Sequence, residues 1–275
     1  MPSPVSKLLL PQQGLAGCIF AAIYRDTRGV KLSDRDRINH FPASPLVSVS
    51  FVVRGDLIIV PVAQHLDRPV HDEAIPRCFA MGPADTPVSS WSPGEVTALT
   101  IGFYHDAWLR LGGDPEFRCV PGRLEEMFSV FAEAPDPDQG WDEVCAKLGS
   151  VWGDVRPKGW RSTGGIADWA QATITRAALA GAGRSLRTLE RQLKRMSGQT
   201  RRSLDFYSAF ENLHQVASQT PDSPLAEVAL AAGYADQSHM GRAVRRATGF
   251  TPAQLNKAVR TDEAFWCYRL LGERF

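Results

Sequence analysis

Short apolar runs separated by turn residues fill the first hundred positions of the chain. Residues 46–53 largely alternate Val and Ser, and a second apolar run, 57–62, follows the turn residues 54–56. Alternation with a period of two indicates strands with one buried face, and the turn predicts a hairpin between these two runs. Further candidate strands at 18–24 and 96–103 make a β-sandwich or a small barrel the expected architecture.

The apolar spacing changes to that of helices after residue 105. Residues 123–132 and 141–152 each place apolar side chains at helical intervals, which gives each helix one apolar stripe. We do not expect a β-rich domain to cover both stripes, so at least one is predicted to pair two copies of the chain. The Pro- and Gly-containing stretch 153–165 predicts a linker, and nearly all of the chain beyond it has helical spacing.

A short helix, a glycine turn and a second, polar helix are predicted between residues 225 and 255. Val228 and Ala229 would lie on the buried face of the first helix, and Gly233 would end it in a left-handed backbone conformation. Asp236 would cap the second helix by accepting a backbone N–H. The outer face of that helix carries polar and basic side chains, which are Gln237, Ser238, Arg242, Arg245 and Arg246. This pattern predicts a helix-turn-helix unit, whose second helix enters the major groove of DNA.

A similar unit is predicted upstream. Residues 166–180 supply its first helix, and Ser185 would cap its second helix, 186–196. The buried stripe of the second helix would contain Leu186, Leu189, Leu193 and Met196. Its outer edge carries three guanidinium groups at intervals of four residues, from Arg187, Arg191 and Arg195. A helix at 203–218 would act as a rigid spacer, so that the two units could read major-groove segments about 34 Å apart.

The region 166–259 resembles the DNA-binding domain of the AraC/XylS family of transcription regulators. The second unit matches the family pattern at Ala229, Gly233, Tyr234, Asp236, Ser238, Arg242, Arg245, Arg246, Gly249, Thr251 and Pro252. The first unit matches it at Ser185, Leu189, Arg191 and Gly198. The chain departs from the pattern at Met240 and Val244, where the family usually has Phe, and Gly181-Ala182-Gly183 lengthens the first turn.

The resemblance implies a transcription regulator with an α+β fold in two domains. We expect a β-rich sensor or dimerisation domain, cupin-like or a sandwich, at residues 1–155. An all-α DNA-binding domain with two helix-turn-helix units is expected at 166–260, followed by a C-terminal tail at 261–275. Double-stranded DNA is then the main partner, and a small-molecule effector, RNA polymerase and a second copy of the chain are further expected partners.

Helix position and the resemblance together assign roles to the outward-facing side chains. The residues expected to face bases are Arg187, Thr188, Arg191, Gln237, Ser238 and Arg242. Glutamine pairs well with adenine and arginine with guanine, each through two hydrogen bonds. The residues expected either to hold phosphates or to be solvated are Arg195, Arg245 and Arg246.

The net charge of +1 hides an asymmetry between the two halves of the chain. Residues 1–154 carry 13 Lys and Arg against 20 Asp and Glu, whereas residues 155–275 carry 18 against 10. An acidic half joined to a basic half indicates that the second half meets a polyanion, which agrees with the position of both helix-turn-helix patterns.

Cysteine usage and missing motifs narrow the functional classes. The five cysteines are scattered without a C-x-x-C pair, which fits a reducing cytoplasm and argues against a structural zinc site. Leu15-Ala16-Gly17-Cys18 reads like a lipoprotein signal but lacks the apolar stretch before it, and no apolar run is long enough to span a bilayer. We find no H-x-H spacing, Ser/His/Asp motif or phosphate loop. We therefore expect a cytoplasmic protein, away from membranes, without catalytic residues, metal or cofactor.

Two alternatives stay open for the N-terminal half. It could be an enzymatic domain, of the alkyl-transfer or cupin type, fused to the same DNA-binding domain. Alkyl transfer needs an activated cysteine beside a histidine, and Cys78 has no such neighbour in sequence. The N-terminal half could also bind a protein partner in place of a small molecule.

Overall fold

The computed structural model describes residues 3–60, 73–157, 160, 164–180, 185–220 and 223–274. The strands in these ranges are β1 Val5–Leu9, β2 Ile19–Asp26, β3 Ile38–Phe41, β4 Val47–Arg54, β5 Ile58–Val60, β6 Cys78–Met81, β7 Val88–Trp91 and β8 Thr97–Phe103. They form a five-stranded sheet in the order β1-β2-β8-β4-β6 and a three-stranded sheet in the order β3-β7-β5, with every pair antiparallel. The expected β-rich N-terminal fold is confirmed.

The predicted hairpin between 46–53 and 57–62 is wrong. β4 pairs with β6 and β8 in the large sheet, whereas β5 pairs with β7 in the small one. The chain changes sheets at Gly55, whose φ of +78° belongs to the left-handed region that favours glycine. A side chain there would collide with the carbonyl oxygen of Glu95. The turn residues therefore make a corner between sheets, and residues 61–62 lie outside the described ranges.

The alternation of Val and Ser in β4 separates two environments. Val47, Val49 and Phe51 are buried in a core that also contains residues of the helices outside the large sheet. Ser48 and Ser50 point the other way and line a cavity, whose walls come from both sheets. Successive side chains of a strand face opposite sides of its sheet, so the Val positions of β4 face the core and the Ser positions face the cavity.

Ten helices complete the described part of the chain. They are α1 His105–Arg110, α2 Gly122–Glu133, α3 Pro137–Val155, α4 Ile166–Ala180, α5 Leu186–Ser197, α6 Arg201–Gln219, α7 Leu225–Ala231, α8 Gln237–Thr248, α9 Pro252–Thr261 and α10 Trp266–Gly272. The apolar stripes of α2 and α3 are buried in one core, in which α2 also packs on the large sheet through the contacts of Phe131 with Tyr24 and of Phe128 with Phe103. They therefore do not offer the uncovered surface on which self-association was predicted.

Helices α4 and α5 share a core with the β-rich half. The Trp169 ring stacks on Tyr104 with 5.2 Å between ring centroids, and Leu193 of α5 belongs to the same cluster of buried residues. Asp106, at the start of α1, accepts hydrogen bonds from Trp169 Nε1 at 3.0 Å and from the Arg176 guanidinium at 2.7 Å. Because Asp106 is buried, these bonds tie the first half of the chain firmly to α4.

The segment expected as a C-terminal tail, 261–275, packs on the β-rich half. Its short 3-10 helix, Glu263–Phe265, and α10 bury an almost continuous run of side chains, Ala264, Phe265, Trp266, Cys267, Tyr268 and Leu270. Trp266 Nε1 donates to Asn39 of β3 at 2.7 Å, and Glu263 forms a 2.7 Å ion pair with the buried Arg25 of β2. The end of the chain thus fastens the helical half to both sheets.

Candidate nucleic-acid interface

The second predicted unit has the geometry of a helix-turn-helix. Gly233 ends α7 with a φ of +85°, and the following Tyr234 is buried. Asp236 accepts a 2.7 Å hydrogen bond from the backbone N–H of His239 and so caps α8, as its position in the sequence predicts. Gly249, with a φ of +82°, ends α8. The buried side of α8 consists of Met240, Val244, Ala247 and Thr248.

The outer face of α8 is free for a ligand. The side chains predicted to reach DNA are all exposed, namely Gln237, Ser238, Arg242, Arg245 and Arg246. Arg246 differs from the others because its guanidinium carbon lies 4.0 Å from the centroid of the Phe206 ring on α6. This cation–π contact holds Arg246 against the spacer helix.

The first unit also places its predicted side chains outward. Arg187, Arg191 and Arg195 are exposed on α5, and Thr188 is half-buried. Gly198 ends α5 with a φ of +69°, and a side chain there would press against the His105 ring. The lengthened turn at 181–183 lies outside the described residues.

Two predictions for the first unit are wrong. Ser185 makes no capping bond to the backbone of α5, because its hydroxyl contacts that of Thr188 at 3.2 Å. Leu186 is 80% exposed, since it lies at the very start of α5, before the helix meets the core that buries Leu193. The buried stripe of α5 is correspondingly shorter than its sequence pattern.

Helix α6 connects the two units. Thr200 caps it by accepting from the backbone N–H of Ser203 at 3.1 Å. Its buried residues are Leu204, Tyr207, Phe210 and Leu213. At the start of α4, both carboxylate oxygens of Glu211 accept backbone N–H bonds of 2.8 Å, from Ile166 and Ala167. The spacer is therefore joined to the first unit by charge-assisted bonds as well as by packing.

Helix α6 also forms one wall of the cavity between the two sheets. Residues of α6 that line it are Tyr207, Phe210, Glu211 and His214. These residues do not stand out in the sequence, because the apolar spacing of α6 predicts which of its positions are buried but not what covers them. The feature of the sequence that could have indicated a cavity is the small residues on the strands that face α6. Ser48, Ser50 and Gly102 leave space there that larger side chains would fill.

A protein-family model described as a helix-turn-helix domain matches residues 179–258, and this domain is of the AraC type. The C-terminal half carries an AraC-type DNA-binding domain. A comparison with curated proteins found no match. The recognition helices α5 and α8 of this AraC-type domain both lie within the matched residues.

Solved structures similar to the whole chain include crystal structures of ToxT from Vibrio cholerae. One, of strain O395 bound to (E)-4-(8-methylnaphthalen-1-yl)but-3-enoic acid, is 9% identical, with 93% of this chain and 99% of ToxT covered and a TM-score of 0.41. Another, of strain SCE256 bound to an unsaturated fatty acid, is 11% identical, with 92% and 93% covered and a TM-score of 0.37.

The AraC-type domain touches the cavity wall directly. The segment 41–46 lines the cavity, and the backbone N–H of Ala43 within it donates a 2.7 Å hydrogen bond to the carbonyl of Ala247 in α8. The Tyr207 hydroxyl of α6 donates to the carbonyl of Ala84, another lining residue, at 2.9 Å.

In the described ranges, no helix combines the length and apolar character needed to cross a membrane.

Proposed function

We propose that this chain is a sequence-specific DNA-binding transcription regulator whose two reading helices are set by a small molecule in the cavity. The AraC-type domain supports the DNA-binding part. One observation supports the control part: α6 joins the two helix-turn-helix units and also forms a wall of the cavity. A molecule that touches α6 would therefore act on the element that sets the relative placement of α5 and α8.

The side chains predicted to reach DNA divide into those that read bases and those that hold phosphates. The base-reading set is Arg187, Thr188, Arg191, Gln237, Ser238 and Arg242, which lie in the N-terminal parts of α5 and α8. Arg195 and Arg245 lie about one turn further on, where a recognition helix approaches the backbone. Arg246 would have to leave the Phe206 ring to reach a phosphate, so we assign it the weakest contact of the set.

The cavity communicates with the reading helices by two routes. One runs through the segment 41–46 to the carbonyl of Ala247 near the end of α8. The other is the hydrogen bond from the hydroxyl of Tyr207, in α6, to the carbonyl of Ala84 in the cavity wall, since α6 joins the two units that contain the reading helices. Because closely packed groups transmit small displacements, a ligand that moves either wall shifts the balance between arrangements of the two units. A ligand has this effect only if it binds one arrangement more tightly than the other.

Selection of bound duplexes from random DNA by the full-length chain tests the DNA-binding part. We expect enrichment of a defined sequence, and affinity for it that falls steeply as salt rises, because phosphate contacts release counterions. Lack of enrichment by a folded protein would contradict sequence-specific reading, and affinity independent of salt would contradict phosphate contacts.

A thermal-shift screen of the full-length chain against small metabolites tests the control part. A molecule that binds only the folded chain raises its melting temperature. We expect such molecules to change the affinity for the selected duplex by about 5- to 150-fold, the usual range of coupling between two sites. Molecules that stabilise the protein but leave DNA affinity unchanged would contradict the proposed control.

The alkyl-transfer alternative finds little support at Cys78, Cys145 and Cys267. Such chemistry needs a thiolate, and burial raises the pKa of the Cys78 and Cys267 thiols to about 12 and that of Cys145 to about 11. We therefore propose a regulator without catalytic activity. RNA polymerase and a second copy of the chain stay predicted partners.

A further inference from the structure

The described walls of the cavity are largely apolar. The cavity has a volume of about 190 Å³, and none of the described residues that line it is Lys or Arg. Most of the wall consists of aliphatic and aromatic side chains, such as Phe20, Ile23, Leu57, Phe79, Met81 and Phe210. An anion entering this space would lose water without gaining an oppositely charged partner among the described side chains, and a cation would meet only Glu211, whose oxygens already accept two backbone N–H bonds.

The polar groups on the α6 wall do not favour an anion. Glu211 is an acid whose oxygens already accept the two N–H bonds from the start of α4. His214, one turn further along α6, makes no hydrogen bond to another described residue, and its ring packs edge-on against Phe210. Burial lowers the pKa of His214 to about 4, so the imidazole is neutral at physiological pH. A neutral imidazole offers one donor and one acceptor to a ligand.

Hydroxyl groups supply the polar spots on the sheet walls. The Ser50 and Thr100 hydroxyls lie 2.9 Å apart, and Ser90 accepts from Asn39 Nδ2 at 3.2 Å. Ser48, two residues before Ser50 on β4, faces the same cavity. Hydroxyls can both donate and accept, so they suit an uncharged polar group on the ligand.

We infer that the cavity binds an uncharged, largely apolar molecule that carries one hydrogen-bonding group, and that it discriminates against carboxylates. An apolar cavity of about 150 Å³ binds benzene, so this one suits a substituted single ring of about ten to twelve non-hydrogen atoms. This inference rests on the proposed function of the cavity as an effector site. It concerns what binds there, and its test needs no DNA.

A pair of probes that share a shape and differ in charge tests the inference. Isothermal titration calorimetry of the full-length chain at neutral pH would compare 4-propylbenzamide with 4-propylbenzoate. We expect the amide to bind at least about tenfold more tightly, because burial of an unpaired carboxylate costs more than the 1.4 kcal/mol that corresponds to tenfold. Equal affinities, tighter binding of the benzoate, or no binding of the amide would overturn the inference.

Three variants locate the binding. Ser48→Leu fills the cavity from β4 and should abolish binding of the amide, whereas the matched change Ser218→Leu, at the exposed end of α6, should leave it unchanged. His214→Lys adds a cation to the α6 wall and should raise the affinity for the benzoate relative to the amide. Circular dichroism establishes that each variant is folded. Undiminished amide binding by folded Ser48→Leu would place the probe elsewhere and overturn the inference.

Failure of the inferred ligand class and failure of the proposed function give different results. If the amide binds as expected but does not alter affinity for the selected duplex, the ligand class stands and the coupling to DNA fails. If charged molecules from the thermal-shift screen alter DNA affinity and lose this effect in Ser48→Leu, the coupling stands and the inferred ligand class fails.

Discussion

The backbone N–H of Ala43 donates a 2.7 Å hydrogen bond to the carbonyl oxygen of Ala247. Ala43 belongs to the cavity wall, and Ala247 belongs to the second recognition helix. Next to this bond, the His40 ring of β3 packs against Phe250 and Phe265, with 5.7 Å and 4.7 Å between ring centroids. The contact is therefore a packed junction between the cavity wall and α8.

A first prediction concerns the hydroxyl that joins α6 to the sheets. Tyr207→Phe removes one of the two hydrogen bonds that the Ala84 carbonyl accepts, the other coming from the backbone N–H of Ser44, so the free energy of unfolding should fall by about 1 kcal/mol. Tyr234→Phe is the matched control, because the buried Tyr234 hydroxyl has no hydrogen-bond partner among the described residues. Its loss should change stability by less than about 0.5 kcal/mol. Urea denaturation measures both, and equal losses would show that the Tyr207 bond contributes nothing.

A second prediction concerns the buried carboxylate between α1 and α4. Asp106→Asn removes the charge that pairs with Arg176 while keeping an acceptor for Trp169, so stability should fall by about 1–3 kcal/mol. Asp205→Asn breaks an exposed ion pair with Arg201 and should cost less than about 0.5 kcal/mol. Thermal unfolding of both variants gives the comparison. A larger loss for Asp205→Asn would contradict the role given to Asp106.

The same contacts revise an expectation about the isolated C-terminal half. Both helix-turn-helix motifs and the positive charge lie after residue 155, which by itself predicts that residues 156–275 bind DNA alone. The structure buries Trp169 and Leu193 against the β-rich half, however, and the fragment would expose them. We therefore expect the fragment to be less stable than the full chain, and the DNA-binding experiments use the full chain.

A third prediction concerns pH. Burial lowers the pKa of His40 from 6.5 to about 4, against a smaller opposing effect of Asp262. Between these pH values the unfolded chain binds a proton that the folded chain does not, so the free energy of unfolding decreases as pH falls from about 6.5 to about 4. The loss from His40 amounts to at most about 3 kcal/mol.

Urea denaturation at several pH values measures this dependence. His40→Gln should lower stability at neutral pH, because it weakens the packing on Phe250 and Phe265, but it should also make stability less dependent on pH. His214→Gln should reduce the pH dependence in the same direction, since burial lowers the pKa of His214 as well. A pH dependence in His40→Gln as steep as that of the unchanged protein would show that His40 does not titrate in this way.

The local elements of the second unit could be predicted from the sequence because their signals are local. Gly233 needs a left-handed backbone and Asp236 needs a nearby N–H to cap, and both requirements are met within a few residues. The period of two in 46–53 similarly predicts a strand with two different faces. Such features depend on backbone geometry that neighbouring residues determine.

The features that could not be predicted depend on distant parts of the chain. The sequence around Gly55 does not show that Glu95 approaches it and turns the chain into the other sheet. The sequence of residues 263–270 predicts only a C-terminal tail, because its contacts with β3 and with Arg25 of β2 involve residues far away in the chain. The cavity forms where small residues of several strands face α6, so it cannot be predicted from any single segment of the sequence.

The central claim is that α8 reads bases through Arg242 and holds the backbone through Arg245, and a pair of titrations tests it most directly. Binding of Arg242→Ala and Arg245→Ala is measured by fluorescence anisotropy on the selected duplex and on a scrambled one. We predict that Arg242→Ala loses about 1–3 kcal/mol on the selected duplex and little on the scrambled one, whereas Arg245→Ala weakens both alike. Equal losses of Arg242→Ala on the two duplexes would contradict base reading by α8.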